Sequence, residues 1–161
     1  HRTLPATTMS RKSAAGLATA PCLGVIRIDY DYPPAPGDID SPESYGYDVY
    51  YRVVPGLTFD MCKGITTEVV DGDTVVKGIT TEVLADFVNA IKYLDKERHV
   101  YGITGDCGFM LSLQEEARKH TKKPIFMSSL CQAPSVTNLF DRDELIAIFT
   151  SDAAALRRML P

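Results

Sequence analysis

No apolar run in this 161-residue chain is long enough to cross a bilayer, which excludes a membrane-spanning helix. Cysteine is scarce and scattered. Cys22, Cys62, Cys107 and Cys131 form neither a Cys-x-x-Cys pair nor a metal-ligand cluster, so zinc is not expected. There is no surplus of positive charge either. The net charge of −4 removes the electrostatic case for nucleic acid or an anionic membrane as a partner. Acidic residues are missing from residues 1–21, where Arg2, Arg11 and Lys12 stand among Ala, Thr and Ser. That is the composition of a transit peptide or its remnant, and a disordered tail with an internal start at Met9 fits it equally. Residue 1 is His, so the expectation is a start inside a longer product. Residues 1–22 are therefore set apart as a leader and residues 23–161 as one α/β domain. Isolated cysteines in such a chain suggest a reducing compartment, which with the leader points to an intracellular place, plastid or cytoplasm.

What is present centres on residues 101–110, Tyr-Gly-Ile-Thr-Gly-Asp-Cys-Gly-Phe-Met. Residues 100–104 are short, β-branched and apolar, the mark of a buried strand. From Phe109 the spacing turns helical, with Met110, Leu113 and Ala117 three or four residues apart. Cys107 thus falls on the turn from a strand's carboxyl end to a helix's amino end, the crevice where ligands bind in open α/β sheets. Unpaired first-turn amides favour a thiolate there. A small buried apolar residue is the competing reading of a free cysteine, and position alone leaves both open.

Residues 23–28 read as the first strand, ending at Asp29. A loop rich in proline and tyrosine continues the chain over residues 29–44. Its four prolines and a glycine forbid a regular helix, and a long loop after a first strand often covers a site. Residues 48–54 form the second strand. The heptad Lys63-Gly64-Ile65-Thr66-Thr67-Glu68-Val69 recurs 14 residues later as Lys77 to Val83. Two copies make no solenoid. Asp71-Gly72 between them suits a small hairpin, and residues 63–83 read as a duplicated insert at the surface. Residues 81–96 form the strongest helix, with Thr80 or Thr81 as its cap. Residues 124–127 and 145–149 read as a fourth and a fifth strand. Ser128 or Ser129 either caps a helix over residues 130–140 or binds a carboxylate. Alternation of strands and helices predicts an open parallel sheet flanked by helices. Asp29, Thr104, Asp106, Cys107, Gly108, Ser128, Ser129 and Thr150 then gather on one edge of the sheet. Cys107 is the catalytic candidate and the other seven are substrate-binding candidates.

Five blocks carry a resemblance: residues 23–33 (LGVIRIDYDYP), 48–59 (DVYYRVVPGLTF), 90–95 (AIKYLD), 102–110 (GITGDCGFM) and 123–132 (KPIFMSSLCQ). In combination the chain resembles the Alma-type dimethylsulfoniopropionate lyases of marine algae, within the aspartate/glutamate racemase superfamily, over most of residues 23–150. The resemblance implies two similar α/β halves facing each other across an active site, each supplying one cysteine beside the substrate's α-carbon. Cys107 falls on the first. The sequence departs from that pattern in ending where the second half is expected. No residue matches the second cysteine, and Cys131 lies within the same half.

The implied reaction is β-elimination of a small sulfonium carboxylate to acrylate and dimethyl sulfide, with Cys107 as base. Neither cofactor nor metal is implied. Weak or no turnover is expected from this half alone. An amino-acid or hydantoin racemase-like enzyme is one alternative, disfavoured by Asp106 directly before the cysteine. A non-catalytic half-domain that binds or assembles, with a homo-oligomer through an exposed apolar face, is the other.

Overall fold

The structure is a computed structural model, and it describes residues 21–160. The leader expected over residues 1–22 lies outside the described residues except for Pro21 and Cys22. Strand β1 (Leu23–Arg27) runs up the middle of a four-stranded, all-parallel sheet of order β2-β1-β5-β6. Its neighbours are β2 (Val49–Val53) and β5 (Gly102–Gly105), and β6 (Ile125–Phe126) forms the far edge. The expected α/β class and parallel sheet are thus what the chain adopts. Val25 and Ile26 of β1 are fully buried, as a central parallel strand covered on both faces requires.

Helix α1 (Phe59–Gly64) comes after β2 and is capped by the Thr58 hydroxyl, which accepts from Met61 N at 3.2 Å. Helix α2 (Thr81–Lys92) starts on Thr80 in the same way, accepting from Val83 N at 3.3 Å. It buries Val83, Phe87, Ala90 and Ile91 against the sheet. The expected helix over residues 81–96 therefore exists, but its last turn widens into a π-helical segment, Tyr93–Glu97.

Between α1 and α2 the chain leaves the core as an exposed hairpin, β3 (Thr66–Val70) and β4 (Asp73–Lys77). Asp71 and Gly72 make its two-residue turn, both at positive φ (52° and 87°), as a type I′ turn demands. The two copies of the heptad fold differently. In the first, Thr66 to Val69 lie in β3. In the second, Thr80 caps α2 and Thr81 to Val83 open it. The residues just beyond each copy decide: a turn signal after the first, and Leu84 and Phe87 at helical spacing after the second. The hairpin closes on itself where Gly78, at φ +80°, meets Gly64. A Cβ on Gly78 would stand 2.5 Å from the Gly64 carbonyl oxygen.

After β5 the first turns, Gly108–Leu113, are 3-10 rather than α, and α3 (Gln114–Lys119) continues them. Met110, Leu113 and Ala117 are fully buried, the face their spacing predicts. The helix expected over residues 130–140 is shorter: a 3-10 turn (Ser129–Gln132) and α4 (Ala133–Thr137). The chain's last described helix is α5 (Ala153–Met159), capped by Asp152, which accepts from Ala155 N at 2.9 Å.

The fifth strand is a correction. Residues 145–149 join no sheet, and Leu145 and Phe149 are 100% and 97% exposed. Their apolar, β-branched composition is that of a strand, but among the described residues no strand pairs with them. Composition reports how readily a segment pairs, not whether a partner is at hand.

Candidate active site

The parallel sheet brings the carboxyl ends of β1, β2, β5 and β6 to one edge. A cavity of about 370 Å³ opens there, and Asp106, Cys107 and Gly108 form its floor. Gly105 explains how the floor is laid so close to the sheet. A Cβ at that position would stand 2.6 Å from the Met127 carbonyl oxygen and 2.7 Å from the Met110 sulfur. Tyr30, Tyr32, Asp38 and Asp40 of the long loop form one wall, and Phe59 and Phe109 another. Phe149, Thr150 and Ser151 complete the rim. A larger groove of about 1030 Å³ runs beside β6 and contains none of the expected site residues.

Cys107 is 8% exposed and Cys62 of α1 is fully buried behind it. The neighbouring Cys62 thiol is the chief reason the Cys107 pKa falls below the ordinary thiol value. Burial opposes the shift, while the amides of Phe109 and Met110 reinforce it. The same contact, with burial, pushes Cys62 far up, so Cys107 is the sulfur of the pair that gives up its proton first. The first-turn amides expected to activate Cys107 do contribute, and the neighbouring thiol contributes more.

Asp106 lies beside them with both carboxylate oxygens on the Ile28 amide, which donates at 3.1 and 3.2 Å. Burial lifts its pKa to about 7, against the opposing pull of that amide and of Arg27. Arg27 in turn pairs with buried Asp40 at 3.1 Å, pinning the loop to the end of β1. Its guanidinium also covers the Tyr30 ring at 4.9 Å.

Of the eight expected site residues, Asp106, Cys107, Gly108 and Thr150 line the cavity, and four do not. Asp29 turns to the β2 side, where its carboxylate accepts from Gly56 N at 2.8 Å. Thr104 donates to the Phe126 carbonyl at 2.8 Å and stitches β5 to β6. Ser128 is buried and caps the turn after it, accepting from Leu130 N at 3.2 Å, which is the capping alternative. Ser129 is exposed and off the cavity. Cys131 donates to the Gln114 side chain at 3.3 Å, away from Cys107.

Sequence reasoning did not single out Asp40 or Cys62 as site residues. The pattern Asp38-Ile39-Asp40 inside a site-covering loop was the available signal for the first. Cys62 had none, because its pairing with Cys107 spans 45 residues. No group of His, Cys, Asp and Glu among the described residues is arranged to hold a metal ion. No described helix is long and apolar enough to cross a membrane.

An α/β chain with a buried cysteine beside a small cavity, at the carboxyl edge of a parallel sheet, is the class these features define. Comparison makes it more particular. The chain is similar to dimethylsulfoniopropionate lyase 3 of Emiliania huxleyi, with 51% identity across 89% of this chain and 34% of the relative. It is 51% identical to lyase 7 of the same alga, across 86% of the chain and 37% of the relative. A dimethylsulfoniopropionate lyase of Durusdinium sp. clade D is 44% identical, across 85% of the chain and 42% of the relative. The resemblance to algal dimethylsulfoniopropionate lyases is thus shown at the level of sequence, and the chain spans about a third of the length of the curated relatives it matches. No family model matches the chain, and no solved structure matches it.

Proposed function

We propose that this chain supplies the cysteine-bearing part of a dimethylsulfoniopropionate lyase. The observation that carries the reading is Cys107, a thiol below its ordinary pKa, at the floor of a small cavity in a chain half identical to proteins named as such lyases. In the proposed step the Cys107 thiolate takes the proton from the carbon next to the substrate carboxylate. The electron pair left behind forms the Cα–Cβ double bond as the Cβ–S bond breaks. Its electrons leave with sulfur as neutral dimethyl sulfide, and the organic product is acrylate. Cys107 then returns its proton to water.

Cys62 serves in this step as a positioning residue, stabilising the thiolate before substrate arrives. Asp106 aids the base when protonated, because its ionised form disfavours the Cys107 thiolate. The Gly108 backbone and the Thr150 hydroxyl, both on the cavity, are assigned to the substrate carboxylate. Asp29, Thr104 and Ser128 are assigned to holding the strand ends that carry the site.

Elimination of a neutral leaving group needs one base on one face, and one cysteine base is what this chain offers. Racemisation needs an acid and a base on opposite faces, so it ranks second.

The test is a chimera in which residues 21–151 replace the matching segment of the Emiliania huxleyi lyase 3. It should release acrylate and dimethyl sulfide from dimethylsulfoniopropionate, and Cys107→Ala in the chimera should abolish release. A Cys107→Ala chimera that keeps turning over would end the proposal.

A further inference from the structure

The proposed lyase reading leaves open which part of this chain recognises the positive end of the substrate, and an answer to that question rests on that reading. The sulfonium sulfur is two bonds from the carbon that Cys107 would deprotonate, so both must lie in the same cavity. A trialkylsulfonium has no N–H or O–H to donate. It is held by the negative faces of aromatic rings and by carboxylates. The cavity beside Cys107 has that lining. Tyr32 stacks on Tyr30 with ring centroids 4.1 Å apart and planes 19° from parallel. Arg27 lies over the Tyr30 ring of this pile at 4.9 Å, and Tyr32 is 57% exposed. Phe59 and Phe109 meet edge to face at 5.5 Å and 79°, fixing the facing wall. Asp106 and Asp40 add carboxylates, and neither Lys nor Arg lines the cavity. Two cations stand near it and both are paired: Arg27 with Asp40 at 3.1 Å, and Lys63, whose ammonium lies 4.9 Å over the Phe59 ring, with Asp60 at 2.8 Å.

We infer that the cavity bounded by Tyr32, Phe59, Phe109 and Asp106 is an onium subsite, selecting small trialkylsulfonium or quaternary ammonium groups over neutral groups of the same shape. Asp38 and Asp40, which line the same cavity, supply the counter-charge, so Asp106 can keep the proton that the Cys107 base requires it to hold. The carboxylate of the substrate then lies at the other side of the cavity, toward Gly108 and Thr150.

The experiment titrates the chain with trimethylsulfonium, with tert-butanol as the neutral shape, and with propionate as the opposite end. Amide shifts at residues 30–32 and 106–109 are tracked by NMR. Trimethylsulfonium should bind saturably and at least fivefold more tightly than tert-butanol, with propionate leaving residues 30–32 unmoved. Tyr32→Leu should weaken trimethylsulfonium at least fivefold, and Tyr32→Phe should restore it. Tyr32 is on an exposed loop, so neither change threatens the fold. Equal affinity for the cation and tert-butanol, or binding indifferent to Tyr32→Leu, would overturn the subsite. The lyase reading fails separately. Tyr32-dependent trimethylsulfonium binding with a dead chimera would leave the onium subsite standing and remove the reaction. An active chimera whose KM ignores Tyr32→Leu would remove the subsite alone.

Discussion

Replacing Asp106 by Asn should stabilise this chain at neutral and alkaline pH. Burial raises the Asp106 pKa from 3.8 to about 7, so between those values the folded chain holds a proton that the unfolded chain has released. Wherever the folded state binds more protons, stability falls as pH rises. This group's contribution is therefore flat below about pH 4, declines up to about pH 7, and is flat again above. A shift of roughly three units at about 1.4 kcal/mol each bounds the loss at about 4 kcal/mol. Asp106 borders an open cavity and is not fully buried, so screening by water brings the expectation to about 2–4 kcal/mol. Asparagine keeps an oxygen for the Ile28 amide and has no charge to bury. Urea unfolding monitored by far-UV circular dichroism at pH 5, 6, 7 and 8, at fixed ionic strength, measures the difference. The Asp106→Asn gain over the parent should grow steadily with pH and level off near pH 8. A difference constant from pH 5 to 8 would refute the buried, raised carboxyl and the account of the cavity floor built on it.

Gly78→Ala should cost about 1–3 kcal/mol in urea unfolding, because its φ of +80° and the Gly64 carbonyl 2.5 Å from the new Cβ leave no room to relax. Leu145→Asp should change stability by no more than about 0.5 kcal/mol, since Leu145 is wholly exposed; a larger loss would restore the five-stranded sheet. Cys62→Ala should move the alkylation midpoint of Cys107 to higher pH, measured by mass spectrometry of iodoacetamide-treated protein, because the neighbouring thiol that favours its thiolate is gone. An unmoved midpoint would assign the activation to the Phe109 and Met110 amides instead.

The sheet was readable because its signals are local. Val25 and Ile26, Ile103 and Ile125 sit in short β-branched runs ended by turn residues, and such runs pair wherever partners exist. The duplicated heptad shows the limit of the same reasoning. The shared Thr-Thr-Glu-Val becomes strand in one copy and helix start in the other, because neighbours outside the heptad choose between them. Residues 145–149 show a second limit, since a strand-forming segment is not a strand without a partner. At the site, Cys107 was legible from the strand-to-helix switch around it. Asp106 and Gly108 came with it, and Thr150 from the end of an apolar run. Asp29, Thr104 and Ser128 were expected at the site because strand ends carry polar groups there. Each instead satisfies a backbone group nearby, a use that position along the chain does not reveal. Cys62 and Asp40 reach the site through tertiary packing alone.

The central claim is that Cys107 carries a thiolate more readily than an ordinary cysteine. The pH dependence of iodoacetamide alkylation, resolved by peptide mass spectrometry for Cys107, Cys22 and Cys131 in the folded chain, tests it directly. The account predicts a Cys107 midpoint below that of free cysteine and below that of Cys22, whose pKa burial raises. A Cys107 midpoint at or above that of free cysteine would contradict it.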